Sequence, residues 1–132
     1  MSVLYVDTSA LLKRVVKEAE SSAVAALLSQ RHSAGDLLTA SSLAWVEVWR
    51  ALRRGGAPDV EAAAGLALSG IAEHPLDELQ LHRARRVGPE SLRSLDAIHL
   101  AAAIAVGADS VVTYDLRLAE AASSAGLAVL AP

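Results

Sequence analysis

The sequence predicts an α/β fold with a parallel sheet and helices on both of its faces. Three observations lead there. Short apolar, β-branched runs alternate with helical segments of roughly ten or more residues, the pattern of repeated βαβ units. Hydrophobic residues make up 53% of the 132, enough for a packed core and too many for a disordered chain. Alanine, leucine and valine dominate, phenylalanine is absent, and Tyr5, Trp45, Trp49 and Tyr114 are the only aromatics, a composition that favours closely packed helices. The length suits one ordinary domain, and residues 1–132 are read as one.

Val3 to Val6 is a short apolar run that reads as a buried strand ending at Asp7. From Ser9 to Val16, Leu11, Leu12, Val15 and Val16 recur at helical spacing, and Glu20 to Gln30 forms a second helix. Gly35 and Asp36 mark a turn before a short strand, Leu37 to Thr39. Ser41 or Ser42 serves as N-cap for a helix through Arg54, which Gly55 and Gly56 stop. Pro58 sits at the start of a helix to about Ser69, where its missing N–H costs nothing. Ile71 to Leu76 reads as a strand that Pro75 confines to an edge or an end. Asp77 to Val87 is helical until Gly88-Pro89 breaks it. Leu95 to Val106, apolar on nearly every side, predicts a buried helix closed by Gly107. Ser110 to Tyr114 is a strand, Leu116 to Ser124 a helix ending at Gly126, and Leu127 to Leu130 the last strand.

Several function classes fall away on composition. No apolar run approaches the ~20 residues of a membrane span, the longest being Leu100 to Val106. Met1 to Asp7 has no basic segment and meets an acid at once, unlike a secretory signal. The absence of cysteine removes disulfides, thiolate metal sites and cysteine nucleophiles, and it fits a cytoplasmic protein. A net charge of −3 makes the whole molecule no magnet for nucleic acid. Its arginines are nevertheless clustered, as Arg50, Arg53 and Arg54, and as Arg83, Arg85, Arg86 and Arg93. Such clusters either grip a phosphate backbone locally or are solvated helix faces.

The acids carry more information. In an open parallel sheet, ligands bind beyond the carboxyl ends of the strands, and Asp7 and Asp115 both follow strands. Each also precedes a helix, so each can simply be an N-cap. Asp96 opens the most apolar helix, where the helix dipole favours it, or a bound cation answers its charge. Glu47 shares a helix side with Arg50 and Arg54 and by itself reads as an exposed salt-bridge partner. Trp45 and Trp49 read as core packing. His32, His74, His82 and His99 lack metal-ligand spacing, and His99 reads as a buried structural histidine. Phosphate-loop, dinucleotide, zinc-protease and serine-hydrolase motifs are all missing. What remains is an all-oxygen set of acids, the ligand type of Mg²⁺ or Mn²⁺.

The segments Val6-Asp7-Thr8-Ser9-Ala10-Leu11, Ser94-Leu95-Asp96-Ala97-Ile98-His99-Leu100-Ala101 and Thr113-Tyr114-Asp115-Leu116-Arg117-Leu118, with Glu47 in the helix after the second strand, together resemble the PIN-domain ribonucleases. Among these they are most similar to the VapC-type toxins of bacterial toxin–antitoxin pairs. The resemblance runs from about Val3 to Leu130 in the family's order. It implies a five-stranded parallel sheet of order 3-2-1-4-5, with Asp7 and Asp115 on adjacent strands. It also implies that Asp7, Glu47, Asp96 and Asp115 form an acidic cluster holding Mg²⁺ or Mn²⁺, with Ser9 and Thr113 as supporting hydroxyls. The implied activity is metal-dependent endoribonuclease cleavage leaving 5′-phosphate and 3′-hydroxyl ends. The implied partners are RNA, a VapB-like antitoxin and a second copy of the chain. On this reading Arg50, Arg53, Arg54, Arg85 and Arg86 are candidates for holding the RNA backbone.

Three other readings compete with it. A haloacid-dehalogenase-like phosphatase needs Asp-x-Asp, but Ser9 stands two residues after Asp7. A phospho-acceptor receiver module needs a second acid near the first strand's end and a late lysine, yet the only lysines are Lys13 and Lys17. A non-catalytic binding module of the same fold has no need for the intact acid set.

Overall fold

Alternating side chains along one short strand set the layers. In the computed structural model, which describes residues 1–132, Leu4, Tyr5 and Val6 of β1 (Val3–Val6) are fully buried. Leu4 and Val6 join one apolar cluster and Tyr5 the other, because successive side chains of a strand face opposite sides. β1 is therefore central. It pairs in parallel with β2 (Leu37–Ser41) on one side and β4 (Ser110–Val112) on the other. β3 (Ala72–His74) extends the sheet beyond β2, and β5 (Ala128–Leu130) beyond β4. The five-stranded order is β3-β2-β1-β4-β5, as the family resemblance implies.

The larger cluster packs the Leu4 face against α1 (Thr8–Leu12), α2 (Ser21–Ser33), α3 (Ser42–Arg54) and α4 (Val60–Ala67), through Leu11, Val24, Val48 and Ala64 among others. The Tyr5 face is covered by α6 (Ser94–Ala105) and α7 (Leu116–Ser124), through Leu100, Ala103, Leu118 and Ala122. α5 (Glu78–Ala84) packs on α6. Between β3 and β4 the chain crosses from one side of β1 to the other, which makes the carboxyl ends of β1 and β4 the switch point of the sheet.

Several sequence expectations need correction. The first helix stops at Leu12, and Lys13 to Val16 continue as turns, with Val16 exposed. Asp59 caps α4, so Pro58 lies just outside it. α6 is not buried all round: Leu95 at its start and Ile104 near its end are exposed, while His99 and the alanines face inward. Trp45 packs on the core, but Trp49 is 44% exposed. α3 buries Ala44, Val48 and Leu52, and Trp45 and Trp49 each follow a member of that stripe, so both sit at its edge and only Trp45 is covered by the core.

Two acids outside the site fasten the entry of β1. Asp36, just before β2, accepts the Ser2 N–H at 2.9 Å, and Asp109, just before β4, accepts the Val3 N–H at 2.8 Å. The Ser2 bond, with Arg31 beside it, holds the Asp36 carboxyl below the ordinary carboxylate range. Such a group contributes stability that is present above the unfolded aspartate value near 3.9 and is lost as pH falls through the lower folded value. The Asp36→Asn variant is expected to lose less stability than the parent in acid melts. Superimposable acid limbs would show that the Ser2 contact contributes nothing.

Candidate active site

The chain reverses at the carboxyl ends of β1 and β4, and four acids meet there from four different segments. Asp7 follows β1 and is buried. Its Oδ2 accepts from the Ser9 hydroxyl at 2.9 Å, the Thr113 hydroxyl at 2.9 Å and, more weakly, the Ser9 N–H. Ser9 Oγ in turn accepts the Tyr114 N–H, and Thr113 Oγ1 accepts the Asp115 N–H. Two hydroxyls thus stitch the end of β1 to the end of β4 through one carboxylate oxygen. The other oxygen, Oδ1, makes no hydrogen bond and lies 3.6 Å from His99 Nε2.

Asp115 is divided in the same way. Oδ1 accepts the N–H groups of Arg117 and Leu118 as the N-cap of α7, and Oδ2 is unengaged. The cap and site readings of Asp7 and Asp115 are therefore not rivals, since each cap occupies one oxygen and leaves one free. Glu47 follows suit: Oε1 accepts from Thr8 Oγ1 at 2.8 Å and from His99 Nε2 at 2.5 Å, while Oε2 has no partner. Its expected pairing with Arg50 and Arg54 is absent. The carboxylate of Asp96, in the first turn of α6, has no hydrogen-bond partner.

The charges feel one another. Burial, then the charges of Asp115, Asp7 and Glu47, push the Asp96 carboxyl above its ordinary value against a smaller opposing pull from His99. Burial would raise the Glu47 carboxyl too, but the His99 hydrogen bond and charge, with the Thr8 bond, hold it below the ordinary range. Burial opposes the His99 imidazolium, yet Glu47, Asp7 and Asp96 together keep the ring above its ordinary value.

These residues suit a divalent cation by donor chemistry. Asp7, Asp96 and Asp115 form no ion pair with any lysine or arginine, so the only basic side chain against the cluster is His99, which is charged only when protonated. Hard oxygen donors with uncompensated charge are what Mg²⁺ and Mn²⁺ take. As they stand, no three acid or imidazole groups are gathered tightly enough to share one ion, and Asp96 and Asp115 are the partly exposed aspartates of the set.

The arginines stand apart. Arg50, Arg53 and Arg54 on α3, and Arg85 and Arg86 after α5, are exposed and pair with no carboxylate. The residue that sequence reasoning undervalued is His99, which is 2% exposed yet bonded to Glu47. Its position three residues after Asp96 was the available signal.

Fold and site together define a parallel α/β protein with an acidic crevice at the topological switch point. The PIN domain family pattern matches residues 4–123, and the chain belongs to the PIN domain family. It is 40% identical to Ribonuclease VapC46 of Mycobacterium tuberculosis over 134 residues, covering 100% of this chain and 99% of that one. It is 36% identical to Ribonuclease VapC47 of the same species, covering 98% and 97%. The fold matches the crystal structure of Mycobacterium tuberculosis VapC20, a sarcin–ricin loop cleaving toxin, with a TM-score of 0.76 at 20% identity over 98% of this chain and 99% of that one.

Because the fold raises the Asp96 carboxyl, the folded chain binds that proton more tightly than the unfolded chain. The group's contribution to stability therefore falls as pH rises past the ordinary aspartate range of about 4 and stays lost at neutral pH. Asp96→Asn is expected to melt at least as high as the parent at neutral pH without divalent ions, with the gap narrowing in acid. A clearly lower melting point would mean that Asp96 serves the helix dipole alone.

Proposed function

We propose that this protein is a metal-dependent endoribonuclease, the toxin of a toxin–antitoxin pair, acting on RNA phosphodiester bonds. One observation carries the reading: the chain matches the VapC ribonucleases from end to end, and its four acids lie at one switch point with an unengaged oxygen on each. We read residues 1–132 as a single PIN domain, since one sheet takes in strands from Val3 to Leu130.

Asp7, Asp96 and Asp115 would hold Mg²⁺ or Mn²⁺, with Glu47 completing the set. The cation, when bound, supplies activation of water and neutralises charge that develops on the phosphate. The protein's own part is orientation. Ser9 and Thr113 fix Asp7, the α7 cap fixes Asp115, and Thr8 with His99 fixes Glu47, and a carboxylate of the set would orient water or accept its proton. The exposed Arg50, Arg53, Arg54, Arg85 and Arg86 would hold the RNA backbone through charge. The same reading implies a cytoplasmic homodimer and a VapB-like antitoxin whose arginine enters the crevice. A guanidinium fork suits paired carboxylate oxygens. No helix is long and apolar enough to cross a membrane.

Labelled RNA incubated with the protein and Mn²⁺ tests this reading. Cleavage is expected with Mn²⁺ and is abolished by EDTA, and Asp7→Asn should lower the rate at least ~100-fold, the scale of losing one electrostatic stabiliser. Replacing Arg85 and Arg86 with Glu should weaken RNA binding and flatten its salt dependence. Cleavage that persists in EDTA, or survives Asp7→Asn, would contradict the proposal.

A further inference from the structure

Behind the crevice, three elements close one ring of hydrogen bonds. The N–H of Ser41, the N-cap residue of α3, donates to Tyr5 Oη at 3.1 Å. Tyr5, on β1, has its own proton to give, and its partner is His99 Nδ1 on α6 at 2.7 Å. In the neutral imidazole, a ring nitrogen that accepts from Tyr5 leaves the proton on Nε2, and Nε2–H then donates to Glu47 Oε1 at 2.5 Å. Glu47 lies on α3, whose first residue follows the Ser41 cap, so the ring returns to its starting helix. With this polarity every buried donor has an acceptor, as buried polar groups require. The opposite tautomer would set two donors, Ser41 N–H and His99 Nδ1–H, against one phenolic oxygen and leave Glu47 Oε1 facing a lone pair.

The two rings also restrain each other. They pack edge-on, with centroids 5.8 Å apart and planes at 69°, and both side chains are buried. His99 therefore has no freedom to turn away, and its Nε2 stands between Glu47 Oε1 and Asp7 Oδ1. Glu47, 24% exposed at its side chain, is the member of the pair that has rotamers to lose.

We propose that His99, held in one tautomer by Tyr5, is a positioning residue that fixes Glu47 beside Asp7 and so prepares the crevice for its cation. The role rests on the nuclease reading and deepens it. His99 itself is buried and acts through Glu47. A histidine that merely filled the core would leave Glu47's orientation, and hence ion affinity, independent of which hydrogen bonds a replacement retains.

His99→Gln keeps an N–H near the Nε2 position, whereas His99→Asn is too short to reach Glu47, and Tyr5→Phe removes the donor that sets the tautomer. Each variant is measured for melting temperature, for Mn²⁺ affinity by calorimetry, and for kcat and KM on labelled RNA. His99→Asn is expected to weaken Mn²⁺ binding ~10-fold or more, the scale seen for partners of metal ligands, and to lower kcat with KM for RNA held. His99→Gln should recover most of both, and Tyr5→Phe should fall between. Equal Mn²⁺ affinity and kcat for the Gln and Asn variants, or losses that simply track melting temperature, would overturn the role. A wild type that binds Mn²⁺ while the variants are indifferent sinks the positioning role alone. A wild type that neither binds Mn²⁺ nor cleaves RNA sinks the nuclease reading, and this role with it.

Discussion

A carboxylate at the mouth of a buried strand is costly unless hydrogen bonds answer for it, and Asp7 is where this protein meets that cost. The answer, bonds from Ser9 and Thr113 to a single oxygen, does two things at once. It ties the carboxyl ends of β1 and β4 together across the point where the chain reverses. It also leaves the second oxygen unspent. The same division recurs at Asp115, whose cap bonds use Oδ1, and at Glu47, whose Thr8 and His99 bonds use Oε1. Structural need and chemical availability are met by different atoms of the same side chains.

The consequence is an excess of negative charge that the fold orients but does not neutralise. Asp96 feels it most, being pressed by three neighbouring acids while its carboxylate has no hydrogen-bond partner. A polyanionic substrate could not approach such a crevice unaided, because like charges at short range repel. A divalent cation, bound as proposed, would resolve both conflicts. The exposed arginines lie outside the cluster, so on the proposed reading attraction of RNA and chemistry on it would fall to separate surfaces.

Much of this was legible in the sequence because it is local. The strand at Val3–Val6, the helix at Leu116–Ser124 and the Ser41 cap follow from apolar runs, turn residues and a hydroxyl before a helical pattern. The strand order came from the family resemblance, since periodicity does not say which strands are neighbours. Glu47 was legible in position and not in environment. Its own helix offers Arg50 and Arg54, but its true partners, Thr8 and His99, come from segments 39 and 52 residues away. Trp49 misled for the opposite reason, because an aromatic four residues from another suggests a core stripe, and only the packing of Ala44, Val48 and Leu52 reveals which stripe is buried.

The central claim is that the unspent oxygens of these carboxylates take a divalent cation at the junction of β1 and β4. Crystals grown with Mn²⁺, measured at a wavelength where manganese scatters anomalously, address it directly. The account predicts an anomalous peak bonded to Asp7 Oδ1 and to at least one of Asp96 and Asp115, with Asp7 Oδ2 still held by Ser9 and Thr113. At saturating Mn²⁺, a crevice without such a peak, or an ion bound only elsewhere on the molecule, would contradict it.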